Sequence, residues 1–379
     1  MTEKIIVVGD DGINTLGIIR SLGEAGFKPD VVITIEENKK VYAKHSKYIN
    51  NCFIVEKNEN VLLRKLMNYD GESKKKYLFP TSDYVLKVIG DNYDILRKKY
   101  ILPSVSKKIG TITDALRKNN TFDFAKESGF LVPRFKKVRI SEKTVNDSSL
   151  KSFFYDFYPL IIKSDCFFEN ETGFIIVDNE KELDIFLNNN VGKTVIIQQC
   201  IDSAEELSVQ CVCFGNKYEP KSFGVIHKIR TSVFALGTTT YAVLKGFEDK
   251  NLYNQCINFV KSLDYSGICD LDILSKNGKY YFIECNFRNG SNGYAYTKFG
   301  ANLPEIWIKG IEGLQREYSQ KDKLVFVNDI GDLAHVFKKN LGLIKWLYQY
   351  ISADCRLSFN AKDPIPFFAE VFGYLINKK

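Results

Sequence analysis

Four side chains on one short stretch carry most of the chemistry legible in this chain. Residues 267–288 read as two apolar strands joined around Asn277-Gly278, and Asp270, Asp272, Glu284 and Asn286 interrupt the apolar runs. Acidic groups in the middle of apolar strands need partners or a reason. Glu284 and Asn286 are two apart and face the same way. Whether Asp272 joins them depends on register. A two-residue Asn277-Gly278 turn pairs Asp272 with Ile283 and sets the carboxylates on opposite faces. A three-residue Lys276-Asn277-Gly278 loop, with Gly278 left-handed, brings Asp272 diagonally near Glu284 and gathers Leu271, Ile273, Tyr281 and Ile283 on the other face. The apolar pattern favours the second register. Two carboxylates and an amide oxygen converging without a cation would repel, whereas hard oxygen ligands suit Mg²⁺ held through a nucleotide's phosphates. Mg-ATP is therefore the expected ligand, with Asp272, Glu284 and Asn286 on the metal; on spacing alone, a solvent-facing edge hairpin is an equal reading.

The elements around this hairpin fall into two styles. Ile5-Ile6-Val7-Val8 is a buried strand, Leu16, Ile19, Leu22 and Ala25 recur at helical spacing with Asn14 or Thr15 as cap, and Asp30–Ile33 is a second strand. This strand–helix–strand unit is Rossmann-like, without the three-glycine dinucleotide fingerprint. Strands at 52–55 and 77–80 and helices at 58–68 and 84–99 complete a first domain of α/β type, residues 1–105. From there the chain is α+β, with helices at 120–128, 180–189 and 251–263 and strands at 160–163, 173–177, 195–199, 207–214 and 222–226. Lys228 and Arg230 share one face of a strand. A solvated basic pair is the default for such residues, but Gly237-Thr-Thr-Thr downstream suggests a backbone able to approach phosphate.

Composition narrows the class. The 379 residues carry 53 Lys+Arg and 46 Asp+Glu, a net +7 spread over many surfaces, which disfavours a nucleic-acid or membrane partner. The N-terminus has an apolar run too short for a signal-peptide core, and no stretch approaches a membrane span, so a cytoplasmic location is expected. Nine cysteines without C-x-x-C spacing read as buried free thiols.

The pattern G-x4-D-x11-E-x-N-x-R, running from Gly267 through Asp272, Glu284 and Asn286 to Arg288, resembles the metal-binding end of the ATP-grasp superfamily. The resemblance implies Asp272, Glu284 and Asn286 as ligands of Mg²⁺, with Mn²⁺ an alternative, and Arg288 beside the transferred phosphoryl group or the substrate carboxylate. Upstream, Lys118 resembles the first phosphate-binding lysine and Lys163, in Tyr-Pro-Leu-Ile-Ile-Lys, the second. Gln198, Gln199, Cys200 and Ile201 resemble the hinge that meets adenine, and Glu206 the acid that binds ribose. The phosphate-covering loop 164–173 holds one glycine and three acids where the family carries several glycines, and Arg117 stands where an aspartate usually precedes the lysine.

Within the superfamily, Arg20-Ser-Leu-Gly23, Ser46-Lys-Tyr48, Pro80-Thr-Ser-Asp83, Lys228-Ile-Arg230, Asn286-Phe-Arg288 and Asp363-Pro-Ile-Pro366 resemble D-aspartate ligase and related carboxylate–amine ligases. The resemblance implies a Rossmann-like N-terminal domain followed by a two-lobed ATP-grasp fold: a mobile nucleotide-binding lobe at 106–192, a catalytic lobe at 193–311 and a C-terminal extension at 312–379. It also implies amide formation through an acyl phosphate, with Lys228, Arg230 and Arg288 as catalytic residues. The partners expected are a small carboxylate such as an amino acid and an amine acceptor; a homodimer is allowed. A carbamoyl-phosphate-synthetase-like or carboxylase-like enzyme, or a non-catalytic ATP-binding regulatory module, stands as the alternative.

Overall fold

The computed structural model describes residues 4–36, 41–69, 76–105, 110–164, 174–234, 237–314 and 317–376, with the side chains of 118, 119, 164 and 374–376 outside that description. Among the described residues three sheets form. The first is parallel, built from β1 (Ile5–Asp10), β2 (Asp30–Ile35), β3 (Cys52–Glu56), β4 (Lys76–Pro80) and β5 (Tyr100–Ile101) in the order β3-β2-β1-β4-β5. Its central strands are apolar on both faces because both faces are covered. One face packs on Leu62, Leu66, Val85 and Ile89 of two helices; the other meets the helix Ile13–Glu24 and Trp307, whose ring lies edge-on to Phe79 at 5.1 Å.

The sequence expectation holds here with two differences. The helix expected over 84–99 breaks at Asn92 into Asp83–Asp91 and Tyr93–Leu96. Neither Asn14 nor Thr15 caps the first helix: Gly12 holds the cap position, Thr15 donates to the Asp10 carbonyl, and Asn14 reaches across to Thr81 and Asn289.

The second sheet is antiparallel, with β6 (Phe135–Arg139), β7 (Leu160–Ser164), β8 (Phe174–Val177) and β9 (Thr194–Gln199) in the order β6-β9-β7-β8. Helices Ser148–Phe154 and Glu180–Asn189 cover one face, burying Leu150, Phe154, Leu183 and Leu187 against Leu160, Ile162, Val195 and Ile197. This small lobe differs from the expected 106–192 at both ends. β9 carries it to Gln199, whereas Ile112, Leu116, Phe122 and Phe130 pack instead on the large lobe.

The third sheet runs β15-β14-β10-β12-β13-β16-β17, with β11 (Lys221–Ser222) beside β10 (Glu205–Phe214). Its other members are β12 (Val225–Thr231), β13 (Thr239–Lys245), β14 (Ser266–Lys276), β15 (Lys279–Asn286), β16 (Lys323–Val327) and β17 (Cys355–Arg356). The strand expected at 222–226 is thus two elements. The last two strands come from the segment expected to be an extension, so residues beyond 312 complete the largest of the three sheets. Cys211, Cys213, Cys256, Cys269 and Cys285 lie as buried free thiols, and Cys200 is half-buried.

The two ends of the chain are joined by one buried cation. Arg20 is fully buried; it donates to Asp363 Oδ2 at 3.1 Å and to the Asp363, Leu357 and Ser358 carbonyls at 2.9–3.0 Å. Asp363 also accepts from the Ser46 hydroxyl and the Lys47 N–H. Three motifs widely separated in sequence thus form one joint, which is structural. Asp363→Ala should lower unfolding free energy by about 3–5 kcal/mol, because Arg20 stays buried without its counter-charge; urea unfolding measures it, and a loss below about 1 kcal/mol would show that the carbonyls suffice.

The same junction holds a second acid. Burial pushes the Glu370 carboxyl up to about 7, with Asp329 and Asp11 adding to the effect. A pKa raised by folding favours the protonated acid, so its stabilisation is complete below about pH 4.3 and is lost as pH rises through 7. Glu370→Gln should therefore match the parent below about pH 4 and melt higher above pH 7 in a pH series of thermal unfolding curves.

Candidate active site

The hairpin register is set by a bulge. Asn277 and Gly278 both have positive φ, 52° and 70°, and form a plain two-residue turn that pairs Lys276 with Lys279 and Ile273 with Phe282. The three-residue loop expected from the sequence is absent. Between Ile273 and Asp272 the register shifts by one residue, so Ile283 is extra and Asp272 lies directly opposite Glu284, Asp270 opposite Asn286. The carboxylates share a face as expected, for a different reason. The apolar face also changes: Phe282 and Cys285, rather than Tyr281 and Ile283, join Leu271 and Ile273 in the core.

On the polar face the adjoining strands add Glu206 and Ser208 from β10 and Lys228 from β12. Lys228 is buried; it donates to Asp272 Oδ1 at 2.7 Å and to the Gly237 carbonyl at 3.1 Å, and stands 3.8 Å from Glu206. Burial opposes its charge, but Asp272, then Glu206 and Asp270, outweigh it and push the ammonium up to about 12. Asp270 is also buried; burial and the charge of Asp272 push its carboxyl up to about 7, and the Ser208 hydroxyl donates to it at 2.6 Å. The Asn286 amide donates to Asp272 at 3.4 Å. A Cβ on Gly290 would overlap the Asp270 carboxylate, which restricts that position to glycine.

The two arginines are each held by an acid that sequence reasoning did not assign to the site. Arg288 makes a two-pronged pair with Asp83, at 2.7 and 3.2 Å, and touches Asn286 at 3.4 Å. Although burial disfavours its charge, Asp83 raises its pKa. Asp83 opens the helix after β4, so the first domain contributes directly to the face; the Pro80-Thr-Ser-Asp83 motif was the available signal. Arg230 makes a second such pair with the buried Asp332, at 3.0 and 2.8 Å, and stacks over Tyr241 at 4.3 Å. Nothing in the sequence marks Asp332. Asn14 and Asn289 bridge the first domain to the segment after Arg288.

The nucleotide-side residues lie on the small lobe. Lys163 on β7 faces Ile196 and Phe174, and shares with Ile196 and Gln198 the face turned away from the lobe's helices. Gln198 is buried, and its amide nitrogen has no acceptor among the described residues. The Gln199 and Cys200 N–H groups are used inside the lobe, on the Arg134 and Pro159 carbonyls. Ile201 follows β9 and is half-buried. Lys118 begins a 3-10 turn, its side chain outside the described residues, as is the loop 165–173.

Asp272, Glu284 and Asn286 form a hard-oxygen donor set suited to Mg²⁺. Among the described residues no group of three His, Cys, Asp or Glu side chains could hold a metal by itself.

Lys228→Met should remove the buried counter-charge from Asp272 and cost about 3 kcal/mol of stability, part of which Mg²⁺ should restore by replacing that charge. Urea unfolding with and without MgCl₂ measures both, and an equal loss in the two conditions would mean that the cation does not reach this face.

Comparison with known proteins follows the geometry. Residues 115–291 match the family model described as ATP-grasp domain. A search of curated proteins finds no sequence match. Among solved structures, an N5-carboxyaminoimidazole ribonucleotide synthetase in complex with ADP is similar over 90% of this chain and 85% of its own, at 13% identity and TM-score 0.67. The L-amino acid ligase from Bacillus licheniformis covers 86% and 79%, at 14% identity and TM-score 0.60. Biotin carboxylase from Campylobacter jejuni covers 85% and 74%, at 17% identity and TM-score 0.64. The chain carries an ATP-grasp domain over residues 115–291, set within an ATP-grasp fold.

Proposed function

We propose that the chain is a cytoplasmic ATP-dependent carboxylate–amine ligase. The observation that supports this most is the face on which Asp272, Glu284 and Asn286 lie beside the buried Lys228 and the Asp83-held Arg288. In this reading Asp272, Glu284 and Asn286 hold Mg²⁺, with Mn²⁺ as a substitute, and the bound cation offsets charge on the ATP phosphates. Lys163 and Lys118 meet the phosphates as point charges. Gln198, Gln199, Cys200 and Ile201 border the adenine, the Gln198 amide supplying a donor, and Glu206 receives the ribose hydroxyls.

The reaction is a phosphoryl transfer followed by an acyl transfer. A substrate carboxylate oxygen attacks the γ-phosphorus and ADP leaves. The amine then attacks the acyl phosphate carbon, loses a proton, and phosphate departs with the C–O bond electrons. Positioning and fixed charge supply the acceleration, with no protein nucleophile. Arg288 is oriented by Asp83 before substrate arrives, and Lys228 stands next to the metal ligands with its proton firmly held. Arg230, bound to Asp332, would reach the phosphoryl group only by exchanging that partner; its proposed role in this state is to fix the β12–β13 hairpin over the face.

A carboxylase-like reading, with bicarbonate as the carboxylate, uses the same residues and is kept because two of the similar structures are a carboxyaminoimidazole ribonucleotide synthetase and a biotin carboxylase. ADP release should be measured with each amino acid and with bicarbonate, adding hydroxylamine to trap an acyl phosphate. Release with an amino acid and a hydroxamate product supports the ligase; release with bicarbonate alone supports the carboxylase; none with either supports an ATP-binding module. Glu284→Gln should lower turnover at least about 100-fold while the fold survives, since one metal charge is lost and like-charge repulsion relieved. Near-normal turnover in that variant would remove the metal site.

A further inference from the structure

Away from the cleft, the helix Leu343–Ser352 is apolar on its outer side as well as its inner one. It buries Trp346 and leaves Ile344, Leu347, Tyr348 and Ile351, spaced i, i+3, i+4 and i+7, on the outside. Ile344 is 85% exposed, Tyr348 72% and Ile351 71%. A helix of a globular domain ordinarily buries such a stripe. Two more apolar rings stand nearby: Phe337 is 77% exposed, and Phe234, at the tip of the β12–β13 hairpin, is 74% exposed with the Lys338 ammonium 5.6 Å from its ring. The hairpin and the helix Asp329–Phe337 are tied by the Arg230–Asp332 pair and by His335 Nε2 and the Thr231 carbonyl at 2.9 Å, so their tips form one surface.

Charge on the segment 333–353 has one sign. Residues 333–353 contain no Asp or Glu, while Lys338, Lys339 and Lys345 are exposed around the apolar stripe. If a second copy covered the face through a two-fold axis, lysines would meet lysines with no acid from this segment to pair them. An anionic bilayer meets both needs, an apolar boundary for the aliphatic and aromatic side chains and headgroup phosphates for the lysines. No helix among the described residues is long and apolar enough to cross a membrane, so contact would be along the interface.

We propose that this face docks the protein on an anionic lipid surface, with Ile344, Tyr348, Ile351 and Phe337 entering the headgroup boundary and Lys338, Lys339 and Lys345 meeting phosphates. The hairpin carrying Lys228 and Arg230 then lies with its tip against the membrane. The proposal is independent of which reaction the cleft performs.

The full chain should be sedimented with vesicles of phosphatidylcholine alone and of phosphatidylcholine with phosphatidylglycerol, at low and high salt. Binding is expected only with the anionic vesicles and should weaken with salt. The triple variant Ile344→Asp, Tyr348→Ser, Ile351→Ser and the triple variant Lys338→Glu, Lys339→Glu, Lys345→Glu should each lose at least about tenfold in partitioning while keeping the parent melting temperature, because all six positions are exposed. Failure to bind anionic vesicles, or equal binding by the folded variants, overturns the proposal. A dimer in analytical ultracentrifugation that Ile344→Asp abolishes would assign the face to a second copy and overturn it equally.

Discussion

Carboxylates crowded on one face of a sheet must be balanced by cations that the same fold can hold in place, and this requirement organises the molecule. Asp270, Asp272 and Glu284 occupy adjacent positions on β14 and β15, in surroundings dry enough to push Asp270 up to about 7. Lys228 answers them from β12 at 2.7 Å. The two arginines at the site are each anchored by an acid from a different part of the chain, Arg288 by Asp83 of the first domain and Arg230 by Asp332 of the last segment. The pairs that set the charge of the cleft therefore also fix how three segments meet around it. Such pairs are costly to bury and costly to break, so they specify arrangement more than they add stability.

The tail is part of this arrangement. β16 and β17 complete the large sheet, and Asp363 returns to the first helix to receive Arg20. The buried polar contacts of Arg20 on the first helix are thus supplied by the last segment of the chain.

Much of the first domain was legible because a parallel strand buried on both faces writes a continuous apolar run, as Ile5–Val8 and Val31–Ile33 do. That Asp272, Glu284 and Asn286 share a face of the hairpin was legible through their spacing. The bulge was not, because Ile283 has nothing in its chemistry to mark it as the extra residue; the apolar pattern was explained with a longer turn that the structure does not use. The lobe boundary was misplaced because helices at 112–127 carry ordinary amphipathic patterns that do not say which sheet they cover. The acids that hold Arg230 and Arg288 lie 102 and 205 residues from them, beyond the reach of any local pattern. The exposed apolar stripe at 344–351 reads in sequence as either core or a docking face, and a net charge summed over the chain dilutes three lysines that matter only together.

The bulge also makes the hairpin unequal in what it tolerates. Residues 277 and 278 are exposed at the tip, beyond the last pair of Lys276 with Lys279, so chain inserted between Asn277 and Gly278 leaves every pair below it in register. A single residue lost from the paired positions 274–276 or 279–282 would instead turn Glu284 and Asn286 toward the thiols of the core and Cys285 toward the cleft, whereas loss of the extra Ile283 would leave Glu284 on the cleft face. The tip is therefore a place to attach a probe or a tag, while the paired positions a few residues away admit no change in length.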